Sequence, residues 1–415
     1  MMVTLQGCSS EQRYSVLFIC VDTLRPDRLG YGGNQRNTSP NIDRIAADGV
    51  VFENTYSVAG WTLPAMATML TGRHPKDHGA TDFHWAVDAK LPSLAGILKR
   101  EGYDTRAYVS HVILTPRYGL ADGFKSYDYS VLDVGHPHDV ATAEQLTDLV
   151  IRDLSSIEKP FFIWVHYFDP HFEYLAHGPW ASFGKRDIDR YDQEIAHTDH
   201  HIGRLLDALK RRGLADKTIL VFNSDHGEEF DEHDGKYHYT LYEEVLRTPL
   251  VINAPFLEPE KIDTAVEQID FLPTVLGLLD IDPGAGEFPG RDVFESHDDG
   301  GPLFFERDRP PPWVQRGVIQ GDHKLVVVEL ADTTKVPLTS RGTFSPVKNV
   351  HPGIYMYDLA NDPGETENLY SESNPKAKEL LALLAGHFAA EGPSVHNVEV
   401  DEELKKKLRS LGYIK

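Results

Sequence analysis

An α/β fold with a doubly wound, mostly parallel sheet is predicted from two features of the sequence. The first is a set of apolar runs without polar alternation: Ser15-Val-Leu-Phe-Ile-Cys-Val21, Pro160-Phe-Phe-Ile-Trp-Val-His166 and Thr218-Ile-Leu-Val-Phe-Asn-Ser224. Strands covered on both faces read this way. The second is that helical patterns separate these runs, and strands alternating with helices imply a parallel sheet with helices on each side.

In chain order, the helical patterns span Ser39 to Asp48, Pro64 to Leu70, Leu91 to Glu101, Ala141 to Ser156, Arg190 to Arg212 and Asp270 to Leu279. Weaker strand runs occur at Thr105 to Val109 and Pro249 to Ile252. The character changes near residue 300, where Asp298-Asp299-Gly300-Gly301 reads as a turn. Beyond it, Arg316 to Gln320 and His323 to Leu330 read as an antiparallel hairpin around Gly321-Asp322. Tyr355 to Leu359 adds a strand, and Pro375 to Glu391 an amphipathic helix. The expected organisation is an N-terminus over 1–13, a catalytic domain over 14–298, a smaller C-terminal α+β subdomain over 299–391 and a tail over 392–415 whose basic stretch from Glu402 to Lys415 is helical.

Forty-one Lys and Arg against 64 Asp and Glu leave a formal charge of −23, which excludes a nucleic-acid surface because phosphate backbones need basic stripes. An anionic substrate must then be drawn in by a local positive centre, which a bound metal would supply. No run approaches the ~18 apolar residues of a membrane span. Of the two cysteines, Cys20 lies inside an apolar run and packs as a small hydrophobe, so no disulfide framework is expected. Around Cys8, Leu5-Gln6-Gly7-Cys8-Ser9-Ser10 has the form of a lipoprotein cleavage site lacking its charged and apolar leader. A start lying upstream would make the protein periplasmic or membrane-anchored through a lipid on Cys8; otherwise the string is coincidental and the chain soluble.

Three apolar runs end in polar groups: Asp22-Thr23, Ser224-Asp225-His226-Gly227 and His166-Tyr-Phe-Asp169-Pro-His171. Ligands of open α/β sheets bind beyond the carboxyl ends of the strands, so these groups are expected to converge. A carboxylate beside an imidazole suits a divalent cation with mixed oxygen and nitrogen ligation. Singly, each Asp could equally cap a helix. Thr62, in Gly60-Trp-Thr-Leu-Pro-Ala-Met66, reads as the N-cap of a helix with Pro64 in its first turn. The same hydroxyl, at a helix N-terminus beside a metal, could be a nucleophile. Cap and nucleophile are indistinguishable from these residues alone.

The sequence resembles sulfatases and the wider alkaline phosphatase superfamily. The resemblance is carried by Val21-Asp-Thr-Leu-Arg25-Pro-Asp-Arg-Leu-Gly30, Leu70-Thr-Gly-Arg73, Gly102-Tyr-Asp-Thr105, Asp169-Pro-His171, Ser224-Asp-His-Gly-Glu228 and Tyr242-Glu-Glu-Val-Leu-Arg-Thr-Pro-Leu250. It continues through Gly321-Asp-His-Lys324, Tyr357-Asp-Leu359 with Asp362-Pro363, and Leu408 to Tyr413. The resemblance implies a metal held by Asp22, Asp225 and His226, a nucleophile at Thr62 that also reaches the metal, and His171 on the anionic group of the substrate.

The departures are as informative. Sulfatases carry Cys or Ser, oxidised to formylglycine, in a Cys/Ser-x-Pro-x-Arg motif; here the run is Thr62-Leu-Pro64-Ala-Met66. Threonine's methyl on Cβ forbids the aldehyde, and Met66 replaces the arginine. A threonine alkoxide fits phosphoryl transfer better, since water can clear a phosphothreonine at phosphorus. The Asp-His pair resembles phosphonate monoester hydrolases and phosphodiesterases, and nitrogen ligation favours one Mn²⁺ or Zn²⁺ over Ca²⁺. His238 stands where the family has a lysine before Tyr-Glu-Glu, and Ser110-His111 replaces its Gly-Lys-Trp-His motif. His238 or His111 is therefore expected to protonate the leaving group. Fewer lysines favour a less charged substrate, such as a diester. Arg25 is a candidate substrate clamp or an ion-pair partner of Asp27. Trp61 and His84 are candidate pocket residues, and Asp231 and His233 shape a loop. The expected substrate is a small-molecule, glycan or lipid ester of phosphate or phosphonate. The alternatives are a sulfatase without formylglycine, a phospholipid-headgroup transferase, and an inactive metal-holding carbohydrate-binding protein.

Overall fold

The apolar runs form the middle of an eight-stranded sheet in the computed structural model, which describes residues 13–133, 141–177, 183–282, 288–295, 301–308, 313–330, 350–389 and 396–410. The strands are β1 (Ser15–Val21), β2 (Val50–Phe52), β3 (Asp104–Val109), β4 (Ser126–Asp128), β5 (Phe161–Tyr167), β6 (Thr218–Asn223), β7 (Leu250–Asn253) and β8 (Glu260–Ile262). Their order across the sheet is β8-β2-β7-β6-β1-β5-β3-β4. Every residue of β1, β5 and β6 is buried, as their uninterrupted apolar composition requires. β1 runs parallel to both β5 and β6.

β7 is antiparallel to both its neighbours, β6 and β2. The Pro249–Ile252 run, read from composition like the parallel strands, thus runs in the opposite direction. Its residues are apolar because β7 sits inside the sheet; composition reports burial and carries no direction.

Helices cover both faces. On one lie α2 (Thr62–Thr71), α3 (Leu94–Arg100) and α6 (Phe271–Leu278), with Leu63, Met66, Leu94 and Leu272 packed on Val16, Phe18 and Cys20. On the other lie α1 (Pro40–Ala47), α4 (Ala143–Asp153) and α5 (Asp187–Arg211), with Ile42, Leu146, Ile195 and Ile202 packed on Leu17 and Ile19. The alternation of β1 residues between the two cores is the two-residue period of a strand.

A second sheet, antiparallel throughout, follows in the order β9 (Leu303–Arg307), β10 (Trp313–Gln320), β11 (His323–Leu330), β12 (Gly353–Asp358). β10 and β11 form the expected hairpin, with Gly321 at φ 58° supplying the left-handed residue of the turn. One face of this sheet holds α7 (Pro375–Phe388) through Val318, Leu325, Met356, Leu380 and Leu384. The other packs Phe305, Ile319 and Val326 on Tyr56, Leu241 and Leu246 of the large layer. Lys324 of β11 is buried in this joint, 2.8 Å from Glu365 and 3.1 Å from Glu243. The C-terminal α8 (Glu402–Ser410) returns to the large sheet, where Leu404 and Leu408 enter its core. The 298/299 boundary, Cys8 and residues beyond 410 lie outside the described residues. No described helix is long and apolar enough to cross a membrane.

Candidate active site

β6, β1 and β5 are adjacent and parallel, so the groups following them meet at one edge of the sheet. Asp22 follows β1, Asp225 and His226 follow β6, and Thr62 begins α2 above them. Thr62 Oγ1 lies 3.3 Å from His226 Nε2 and 3.5 Å from Asp22 Oδ2. His226 Nε2 is 3.7 Å from Asp22 Oδ1 and 3.6 Å from Asp225 Oδ2. All four residues are fully buried.

Backbone geometry aims these groups. Thr23, at φ 54°, occupies a left-handed conformation unusual for a β-branched residue, which turns the chain sharply after Asp22. Its N–H donates to Asp225 Oδ1 (3.2 Å), as does that of His226 (2.8 Å), fixing one oxygen and leaving Oδ2 toward the cluster. His226 Nδ1 donates to Gly227 O (2.9 Å), so the lone pair on Nε2 points inward. Gly227 permits a close crossing: a Cβ there would lie 2.0 Å from Glu244 O.

Thr62 is not the N-cap. Trp61 takes that position in extended conformation, and Thr62 is the first helical residue. The cap hydrogen bond is absent, so the threonine hydroxyl is available to Asp22 and His226.

The donors fit a cation. Asp22 Oδ1 and Asp225 Oδ2 are buried without hydrogen-bond partners, which in an interior destabilises by about 1–3 kcal/mol per group. The separations of 3.3–3.7 Å match the ~3.4 Å between ligands of a tetrahedral ion with bonds of about 2.1 Å. Asp22, Asp225 and His226 present ligand atoms within 4.8 Å of one another. Burial, then the Asp225 and Glu228 carboxylates, push Asp22 well above the usual carboxylate range. Burial acts on Asp225 too, but His226 and His166 hold it low.

Three further histidines surround this cluster. His111 Nε2 is 3.7 Å from Asp22 Oδ2, while its Nδ1 accepts from Ile113 N (3.2 Å). The His171 ring stacks on Phe168 (4.6 Å), and its Nδ1 donates to Phe172 O (2.7 Å). His238 lies 4.6 Å from the His226 ring and 5.3 Å from that of His171, with Nδ1 3.4 Å from Glu228 Oε1. Burial and the neighbouring imidazoles lower the proton affinity of His111 and His238. His171 and His238, at 3% and 4% exposure against 0% for the Asp22 cluster, mark the side nearest solvent.

Other expected residues stand apart. Arg25 binds Asp27 through two bonds of 2.9 Å, Glu232 at 2.6 Å and Glu228 O at 3.0 Å, the ion-pair alternative rather than a substrate clamp. Trp61 is buried, with its ring edge-on to Phe83 at 5.2 Å. Asp169 caps α4 through Thr142 N, Ala143 N and Thr142 Oγ1. His84 pairs with Asp82, and His233 stacks on Tyr242 beside Glu244.

Glu228 and Arg307 have no forerunner among the expected functional residues, whereas His166 ends one of the runs expected to converge. His166 Nε2 is 3.7 Å from Asp225 Oδ2. Arg307, at the end of β9, reaches the Gly60 carbonyl and lies 5.5 Å from the Tyr239 ring, and its charge acts on His226 and His238. Nothing in the local sequence of Phe304-Phe-Glu-Arg307 signals that role, whereas Glu228 lies inside a quoted motif.

The sulfatase family model matches residues 15–281. An ulvan-active sulfatase of Formosa agariphila is 28% identical over 442 aligned positions, covering 93% of this chain and 84% of the relative. The fold is that of a protein solved in complex with its substrate D-glucosamine-2-N,6-O-disulfate (TM-score 0.72, 18% identity, 96% of this chain and 98% of the other). It is equally that of a phosphonate monoester hydrolase of Agrobacterium radiobacter (TM-score 0.73, 20% identity, 91% and 96%).

Proposed function

The chain belongs to the sulfatase family of ester hydrolases, and from that premise we propose that it cleaves phosphate or phosphonate esters, diesters or phosphonate monoesters, with Thr62 as nucleophile. The observation that carries this reading is the Thr62 hydroxyl, released from capping and set 3.3 Å from His226 Nε2 and 3.5 Å from Asp22 Oδ2. A divalent cation held by Asp22, Asp225, His226 and Thr62 would supply Lewis-acid polarisation of an ester oxygen and favour the ionised hydroxyl. Nitrogen in the donor set favours Mn²⁺ or Zn²⁺ over Ca²⁺.

Asp22 Oδ2 is the nearest carboxylate oxygen to take the Thr62 proton. Thr62 Oγ1 then forms a bond to phosphorus as the bond to the departing alcohol breaks. His171 and His111 steady the non-bridging oxygens, and the positive N-terminal end of α2 contributes in the same sense. His238, on the solvent side, gives a ring proton to the leaving oxygen while its Nδ1 takes one from Glu228, whose carboxyl burial keeps protonated. Water then attacks the phosphothreonine at phosphorus, its proton returning through His238 to Glu228, and Asp22 gives its proton back to Thr62 Oγ1 as that bond to phosphorus breaks. A threonine sulfate would lack the elimination route open to a formylglycine hydrate.

A sulfatase working without formylglycine is the second reading, favoured by the sulfatase relative at 28% identity. Purified protein offered bis-nitrophenyl phosphate, phenylphosphonate ester, nitrophenyl phosphate and nitrophenyl sulfate with Mn²⁺, Zn²⁺ or Ca²⁺ separates the two. The diester or phosphonate is expected to turn over fastest, and Thr62→Ala to abolish it. Sulfate turnover above every phosphorus substrate would replace the first reading with the second.

A further inference from the structure

We propose a second cation site beneath the first, formed by Cys20, His166 and Asp225, for a borderline or soft divalent ion such as Zn²⁺ or Co²⁺. It rests on the reading of Asp225 as a ligand of the first ion, since the two sites would share that carboxylate.

The sheet register builds the site. Cys20 of β1 is opposite His166 of β5 and Asn223 of β6, so the three side chains form a row on the face covered by α2. Cys20 Sγ, a His166 ring nitrogen and an Asp225 oxygen lie within 4.8 Å of one another. Asp225 Oδ2 stands between two imidazoles, 3.6 Å from His226 Nε2 on the outer side and 3.7 Å from His166 Nε2 on the inner. One carboxylate oxygen therefore faces both donor sets.

The inner set carries its own signs of a ligand. His166 is fully buried, and neither ring nitrogen has a hydrogen-bond partner; the same holds for Asn223 Oδ1. Leaving both nitrogens of a core imidazole unpaired is unfavourable, and a cation on one of them relieves it. Met66 Sδ lies 3.6 Å from Cys20 Sγ, so the surroundings are sulfur-rich.

Thiolate, imidazole and carboxylate together select Zn²⁺ or Co²⁺ over Mg²⁺ or Ca²⁺. The ion displaces the proton of the Cys20 thiol, which leaves to solvent, one proton per inner ion bound.

The experiment is a Co²⁺ titration of the metal-free full-length protein, read by near-ultraviolet absorbance and by metal content after gel filtration. Two cobalt ions per chain are expected, with a thiolate-to-cobalt charge-transfer band saturating at one equivalent. Cys20→Ser should lose the band and one ion; Asp22→Asn should keep the band and one ion. His166→Gln should lose the inner ion alone. One cobalt without the sulfur band overturns the second site and leaves the first standing, whereas no retained cobalt overturns both. A band that survives Cys20→Ser belongs to Cys8 and also overturns the proposal. Should Cys20→Ser fail to fold by circular dichroism, the band and stoichiometry of the unsubstituted protein decide.

Discussion

The buried charges around Lys324 and those around Asp22 are built on opposite terms. In the joint between the sheets, the Lys324 ammonium sits between Glu365 and Glu243, and the Glu243 N–H donates to Glu365 Oε2 at 2.7 Å. Charge is met by charge. At the ends of β1 and β6, Asp22, Asp225 and Glu228 are buried together, and oxygens of all three lack hydrogen-bond partners. The first cluster holds two pieces of protein together; the second is the one proposed to take a ligand. Both follow from family motifs, so the motif alone does not distinguish binding from building. The buried ammonium does, since Lys324 lies 2.8 Å and 3.1 Å from the two carboxylates of the first cluster.

The contrast can be broken by substitution. The largest effect is expected at Thr62: Thr62→Ala should reduce phosphodiester turnover about a thousand-fold or more. Urea unfolding of the same variant should move by about 1 kcal/mol or less, one modest hydrogen bond. A residual rate near that of the unsubstituted protein would remove Thr62 from the reaction. Lys324→Met should act the other way round, lowering stability by about 3–5 kcal/mol because Glu365 and Glu243 stay buried without their cation. Activity per folded molecule should be retained; equal loss of activity and stability would mean that the two clusters are one unit.

A smaller effect distinguishes their need for an ion. Zn²⁺ or Mn²⁺ at about a hundred times its dissociation constant should stabilise the chain by about 2.7 kcal/mol, and a chelator should reverse this. Calorimetry on Asp225→Asn should show the shift abolished, and on Lys324→Met undiminished. The smallest effect belongs to Glu229, buried between the two clusters with Thr240 Oγ1 donating to it at 2.6 Å. Burial pushes its carboxyl up to about 7 against that hydrogen bond. The folded state therefore holds the proton where the unfolded chain has released it, and stability falls as pH rises from about 4.5 to 7, by on the order of 3 kcal/mol. Unfolding midpoints of Glu229→Gln across this window should lose that decline; an unchanged slope would assign it to another group.

Much of this was legible in the residues. Asp22, Asp225 and His226 each follow an uninterrupted apolar run, and adjacency of β6, β1 and β5 brings them together as a parallel sheet implies. What composition withholds is direction and register. β7 is as apolar as its neighbours yet runs against them. His166 was in view as the end of a strand, but only its pairing with Cys20 places it beneath Asp225. Thr62 read as a cap because threonine suits that position; the helix starts one residue earlier because Trp61 is extended and buried, a tertiary choice. Arg307 could not be read at all, since its role comes from a contact across 247 residues with the Gly60 carbonyl.

That contact has a consequence for the order in which the molecule is made. β9 also lies against the segment leading to Thr62, with Glu306 N donating to Val58 O at 2.9 Å. During synthesis the chain emerges from its N-terminus, and early portions begin to fold while later ones are still being added. Asp22, Thr62, Asp225 and His226 are all present when residue 226 of 415 is made, but the strand bracing Val58 and Gly60 arrives only at residues 303–307. A chain stopped after His238 and before β9 would carry the proposed reactive groups and lack the contacts to Val58 and Gly60. On the proposed role of Thr62, hydrolysis then waits for β9.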